Sequence, residues 1–175
     1  LIGRNGQGKT TLLKIIAGED PEYEGDLELR KNLRITLTRQ EHLTDNKMKA
    51  IDYILDSVPM YAEYGKILHE FEHELHSDIH LYSKAQEYFT DHGYYYITDQ
   101  ILGSLKEFQI SEEKANQPLI TLSGGEKRYI ELARLMYSES ELYLIDEPTN
   151  HMDYVGKGQF IEWMNGVTES MLIVT

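Results

Sequence analysis

The chain has 175 residues, enough for one domain with a buried core, and an ordinary globular balance of 41% hydrophobic and 27% charged residues. It has no cysteine, which excludes a disulfide framework and a thiolate metal site, and no apolar run near the ~20 residues that span a bilayer. The formal charge is −13, and residues 41–114 alone carry 15 acidic residues against 6 lysines, which argues against an extensive phosphate-binding face there.

In chain order, Leu1-Ile2 reads as the last step of a strand. Gly3-Arg4-Asn5-Gly6-Gln7-Gly8-Lys9-Thr10 then fits G-x-x-x-x-G-K-[ST]. Such glycines let the backbone wrap so that its N–H groups point at phosphate oxygens. The helix expected over residues 9–17 adds the positive end of its dipole. Lys9 is expected to reach the β- and γ-phosphates, Thr10 to offer its hydroxyl to Mg2+, and Thr11 to contact the α-phosphate. Leu12, Leu13, Ile16 and Ala17 share one face of that helix, and Gly18 supplies its C-cap. Leu27 and Leu29 alternate, Lys31-Asn32 turns, and Leu33, Ile35 and Leu37 alternate again, which predicts a hairpin.

The middle of the chain reads as helical. Ile51, Ile54, Leu55 and Val58 are spaced for one helix face, and Tyr64, Ile67, Leu68, Phe71 and Leu75 for another. Ser77-Asp78 ends one helix and caps the next, and Asp91-His92-Gly93 is a break. Helices near 60–76 and 79–90 therefore form a helical hairpin, with a further helix marked by Ile101, Leu105 and Phe108.

The last third returns to alternating strand and helix. Leu122-Ser123-Gly124-Gly125-Glu126 opens a helix, and a serine with two bare backbone positions at a helix N-terminus makes a second anion site. One domain needs only one such site for one ATP, whereas two domains facing head to tail each lend the second site to the other. Leu142-Tyr143-Leu144-Ile145 is a buried parallel strand ending in Asp146 and Glu147. Asp146 is expected to hold Mg2+ through water, and Glu147 to polarise the attacking water. Residues 171–175 read as another buried strand. Core strands at both ends lead to the expectation of a piece of a longer protein.

These motifs together resemble the ATP-binding cassette (ABC) family along the whole chain. Residues 3–11 match its Walker A loop, Gln40 its Q-loop, residues 122–126 its signature, residues 142–147 its Walker B strand and residues 150–153 its D-loop. The resemblance implies a P-loop NTPase α/β core over residues 1–40 and 120–175, with an inserted helical subdomain over residues 41–119. It implies ATP and Mg2+ as cofactors, a second ABC cassette as partner, and ATP hydrolysis once the two are paired. Residues 1–175 alone are expected to turn over negligibly. The nucleotide contacts carried over are Gly3, Arg4, Asn5, Gly6, Gln7, Gly8, Lys9, Thr10, Thr11, Gln40, Ser123, Gly124, Gly125 and Glu126. The metal contacts are Thr10, Gln40 and Asp146, and the catalytic group is Glu147.

Within the family the chain looks most like the first cassette of the ABC-F branch, whose members act on ribosomes. Asp146-Glu147-Pro148-Thr149-Asn150-His151-Met152-Asp153 follows the branch's D-E-P-T-N-H-L-D, with Met152 in place of leucine. The helical hairpin falls where that branch carries its arm. This implies a cytoplasmic ribosome partner and no membrane insertion. The acidic middle stretch then points to ribosomal proteins, or to a basic surface elsewhere. The alternative is the nucleotide-binding subunit of a membrane transporter. The family's switch histidine and adenine-stacking aromatic match no residue of this chain.

Three features admit a plainer reading. His69-Glu70-Phe71-Glu72-His73 satisfies H-E-x-x-H, and His76 and His80 lengthen the stripe, but the apolar residues lie on the opposite helical face. A solvated face is the expectation. Gln40 also fits an exposed polar residue after a strand. Arg39 and Arg128 read equally as functional groups or as surface charge.

Overall fold

The structure, a computed structural model, describes residues 1–4, 6–38, 47–73, 78–150 and 152–175. Asn5, Arg39, Gln40, Leu75, His76, Ser77 and His151 lie outside the described residues. The elements are α1 (Lys9–Ile16), β1 (Ile35–Leu37), α2 (Ala50–Leu55), α3 (Tyr61–Glu72), α4 (Ile79–Asp91) and α5 (Ile97–Glu107), followed by α6 (Glu112–Ala115), α7 (Gly124–Tyr137), β2 (Leu142–Asp146), α8 (Tyr154–Gly166) and β3 (Ser170–Val174).

The three strands form one parallel sheet in the order β1-β2-β3. Leu1 borders β3: its N–H donates to Ile173 O at 2.7 Å, and Thr175 N donates to Leu1 O at 3.2 Å. The loop of residues 3–10 thus leaves the sheet beside the C-terminal ends of the strands. A central parallel strand is covered on both faces, which is why β2 runs apolar from Leu142 to Ile145 before ending in Asp146. On one face Leu144 packs with Leu37, Val174 and the α1 residue Leu13. On the other, Tyr143 and Ile145 pack with Ile130, Leu132 and Phe160 from α7 and α8. The fold is an α/β P-loop architecture.

The helical hairpin is present. Aromatic pairs Phe71–Tyr82, Tyr64–Tyr88 and Tyr61–Phe89 run in opposite chain directions, so α3 and α4 are antiparallel. Asp78 caps α4 by accepting from His80 N and Leu81 N at 3.0 and 3.1 Å. His69, His73 and His80 are exposed, as expected of a solvated face, and the His69 and His73 rings stack at 4.2 Å.

Two expectations are corrected. Leu12 points away from the core, and Leu13 alone of α1 is fully buried. The hairpin before Leu37 is absent. Asn32 does turn, at φ 58°, but Leu27 and Leu29 are exposed and in no strand, while β1 pairs in parallel with β2. Alternation predicts a strand only if something covers its apolar side; a lone two-stranded hairpin is marginal.

The packing also contains a buried polar group that periodicity does not disclose. Glu131 of α7 is 2% exposed. It accepts from Tyr53 Oη of α2 at 2.8 Å and from Arg134 Nε and Nη2 at 2.9 and 2.7 Å. Arg134 Nη2 also donates to Leu37 O at 2.6 Å. One carboxylate thereby ties α2, α7 and the end of β1. Glu131→Ala leaves Arg134 buried without its counter-charge and should cost ~3–5 kcal/mol, whereas Glu131→Leu with Arg134→Met should cost less. Denaturant unfolding of the three proteins checks the order.

Candidate active site

The described residues of the turn before α1 bond one another. Gly6 and Gly8 hold φ values of 81° and 78°, which a side chain would strain. Arg4 N donates to Gln7 Oε1 at 3.0 Å. Lys9 Nζ bonds Gly3 O and, at 3.4 Å, Arg4 O. Neutral carbonyls are weaker partners for an ammonium than phosphate oxygens, so these bonds hold Lys9 at the loop without competing strongly with an anion. Helix α1 begins at Lys9 with no side-chain cap, so its first N–H groups remain available at its positive end.

Gly6, Gly8, Lys9, Thr10, Thr11 and Glu147 line one open cleft of about 370 Å³. Thr10 Oγ1 donates to Asp146 Oδ2 at 2.5 Å, joining the first turn of α1 to the end of β2. Two hard oxygen donors at the lip of such a cleft suit Mg2+, which takes one or two protein ligands and keeps several waters. Thr38, absent from the expected set, braces this corner. Its N–H donates to Leu144 O, and its hydroxyl accepts from Asp146 N, both at 2.9 Å.

Glu147 follows Asp146 in a left-handed conformation, φ 42°. Its N–H donates to Val174 O at 2.9 Å, and its Oε2 accepts from Asn150 Nδ2. Behind it lies Arg128 of α7, and here the surface-charge reading is overturned. Arg128 is buried, and it donates through Nε to Pro148 O at 3.0 Å and through Nη2 to Asp146 O at 3.2 Å and to Glu147 O. Burial pulls the guanidinium below its usual range, opposed by Glu131, Asp146 and Glu147.

Ser123, Gly124, Gly125 and Glu126 do not line the cleft. They form the N-terminus of α7, where Ser123 N donates to Glu126 Oε2 at 2.8 Å and Glu126 N to Ser123 Oγ at 3.3 Å. This capping box fixes the backbone at the helix start. Further along, Tyr129 Oη donates to Asp153 Oδ1 at 2.7 Å, and burial together with that bond pushes the phenol up to about 12. Asp153 also caps α8 by accepting from Gly156 N at 2.9 Å. A Cβ on Gly156 would meet the Tyr129 ring at 2.4 Å, so this close approach requires glycine.

The Lys114 ammonium and the Ser123 N–H hold the Glu126 carboxyl down at about 2, from an ordinary 4.5. A depressed carboxyl stabilises the fold above its unfolded pKa and loses that contribution as pH falls through the folded one. The stability difference between wild type and Glu126→Gln should therefore be complete at neutral pH and shrink between pH 4.5 and about 2, as read by denaturant unfolding across that range.

Residues 1–150 match the family model described as ABC transporter. The chain is 29% identical over 171 residues to the ATP-binding protein Uup of Escherichia coli, covering 95% of this chain and 26% of that protein. It is 27% identical to the energy-dependent translational throttle protein EttA of Haemophilus influenzae, over 87% of this chain and 28% of that one. It is 30% identical to a probable metal transport system ATP-binding protein of Thermotoga maritima, over 94% of this chain and 55% of that one. The chain spans about a quarter of the length of the curated relatives it matches first. A dimeric ATP-binding cassette bound to ADP and Pi in a post-hydrolysis state superposes with a TM-score of 0.60 at 20% identity, over 99% of this chain and 72% of that one. The family model covers most of the chain, and this chain belongs to the ABC transporter family.

Proposed function

We propose that this chain binds ATP with Mg2+ and, paired with a second cassette, hydrolyses it within an ABC-F type protein acting on the ribosome. The juxtaposition of Lys9, Thr10, Asp146 and Glu147 around one cleft carries the ATPase reading. In this reading the backbone of residues 3–8 cradles the phosphates, Lys9 binds the β- and γ-phosphates, and Thr11 binds the α-phosphate. Thr10 and Asp146, with Gln40, would hold Mg2+, which when bound supplies charge neutralisation across the phosphates. Glu147 accepts a hydrogen bond from the attacking water and polarises it. The N-terminus of α7, shaped by the Ser123–Glu126 box, serves the γ-phosphate of the partner cassette. Residues 41–119 form a helical subdomain inserted into the core, and α3–α4 are its arm.

The stretch Asp146-Glu147-Pro148-Thr149-Asn150-His151-Met152-Asp153 supports the ribosomal branch, together with the α3–α4 hairpin and the similarity to a protein named as a translational throttle. A transporter subunit is the second reading, favoured by the similarity to a metal transport ATP-binding protein. No helix among the described residues is long and apolar enough to cross a membrane.

Lys9→Ala in the full-length gene product should abolish tight ATP binding by calorimetry, because Lys9 is the loop cation held against Gly3 O and beside the cleft. Glu147→Gln, made with its counterpart in the second cassette, should bind ATP but stall before hydrolysis. That form should co-sediment with ribosomes in ATP and slow synthesis in a purified translation assay. Retained ATP with membrane fractionation and no ribosome association would replace the translation reading with the transporter one.

A further inference from the structure

Glu147 has a backbone problem. It lies at φ 42°, a region that costs a non-glycine residue conformational energy, and it precedes Pro148, whose ring restricts it further. Strain of this kind persists only where surrounding structure over-determines it. Three successive carbonyls, of Asp146, Glu147 and Pro148, also turn toward one point. Three aligned carbonyl dipoles repel one another unless a cation lies between them.

Arg128 is that cation. Its planar fork reaches all three oxygens from two nitrogens, and it does so while buried, where each bond is strengthened by the low dielectric. Arg128 does not line the cleft. Among the described residues its hydrogen bonds go to backbone carbonyls, and the helix that carries it is the one that Ser123 caps. A lysine at this place would bring a point charge with a different donor geometry and could not reproduce the fork.

We propose that Arg128 is a positioning residue for hydrolysis: its guanidinium holds the turn of residues 146–148 so that the Glu147 carboxylate faces the cleft. Without the clamp, Glu147 relaxes toward negative φ, and its carboxylate leaves the direction of the attacking water. Nucleotide binding, which uses the loop and Lys9, is left in place. The inference rests on the ATPase reading above and adds a residue to it.

The test uses the full-length gene product carrying Arg128→Lys, Arg128→Gln, Glu147→Gln and the Arg128→Lys/Glu147→Gln pair. Thermal midpoint, ATP affinity, KM and kcat are measured for each. Arg128→Lys should stay folded, keep ATP affinity and KM within about threefold, and lose roughly 10–100-fold in kcat, the scale on which misplacing a reacting group acts. On the Glu147→Gln background the same change should lower the residual rate no further, because the clamp acts through the carboxylate that is already gone. A folded Arg128→Lys protein with wild-type kcat overturns the proposal. So does an equal loss on both backgrounds, or a parallel loss of ATP affinity. If Arg128→Lys fails to fold, Arg128→Gln carries the same expectations; failure of both makes Arg128 a folding residue and overturns the clamp. A wild-type protein that hydrolyses no ATP sinks the ATPase reading itself. An active wild type with an equally active, folded variant overturns the clamp alone.

Discussion

Strands of a parallel sheet run out of ladder partners at their C-terminal ends, and the carbonyls there need donors if the edge is buried. In this chain α7 supplies them. Arg134 donates to Leu37 O at the C-terminal end of β1, and Arg128 donates to the carbonyls of residues 146–148 at and just past the end of β2. The two guanidinium groups are carried on one helix and are both buried. Burying two cations is costly unless each is paired and fully bonded. Glu131 answers Arg134 directly, and Glu131, Asp146 and Glu147 all favour the charged form of Arg128. The site edge is consequently built from electrostatics inside the core, with apolar packing on either side.

That construction explains how the two halves of the site stay in register. The glycine-rich turn before α1 is anchored by local geometry: its glycines, the Lys9 bonds to its own carbonyls, and the start of α1. The acid pair is anchored by distant groups, Thr38 from after β1 and Arg128 from α7. The Thr10–Asp146 bond is where the two systems meet. Since Ser123 opens the helix that also carries Arg128 and Tyr129, the signature end, the Glu147 turn and the Asp153 cap are held by one rigid element. A displacement of α7 would be felt at all three.

The helical segment joins the sheet through the same helix. The larger apolar cluster runs without a break from Ile54 and Ile101 through Ile130 to Ile145 and Phe160. The Tyr53–Glu131 bond crosses it. Helices α3 and α4 pack on each other mainly by aromatic rings and present their charged residues outward, consistent with the concentration of acidic residues in that part of the sequence.

The glycine-rich turn before α1, the acid pair at the end of β2, the capped start of α7 and the antiparallel helix pair were all legible in the sequence. Each depends on a few consecutive residues or on a single periodicity, and glycine, serine, proline and strand-ending carboxylates act on their own backbone. The roles of Thr38, Arg128 and Glu131 were not legible. Thr38 and Arg128 have partners 108 and 18 to 20 residues away, and Glu131, besides pairing with Arg134 three residues on, bonds Tyr53 78 residues away; no spacing rule connects a helix cation to the carbonyls of a turn. The hairpin expected around Asn32 erred for the same reason in reverse. Alternation at Leu27 and Leu29 describes a strand with one apolar face, but only tertiary structure decides whether anything covers that face, and among the described residues both side chains stand exposed. Sequence alone determined which local motifs are present, because short motifs carry their own geometry. Tertiary structure alone decided how the turn after β2 is held, because its carbonyls are bonded by a buried cation from another element.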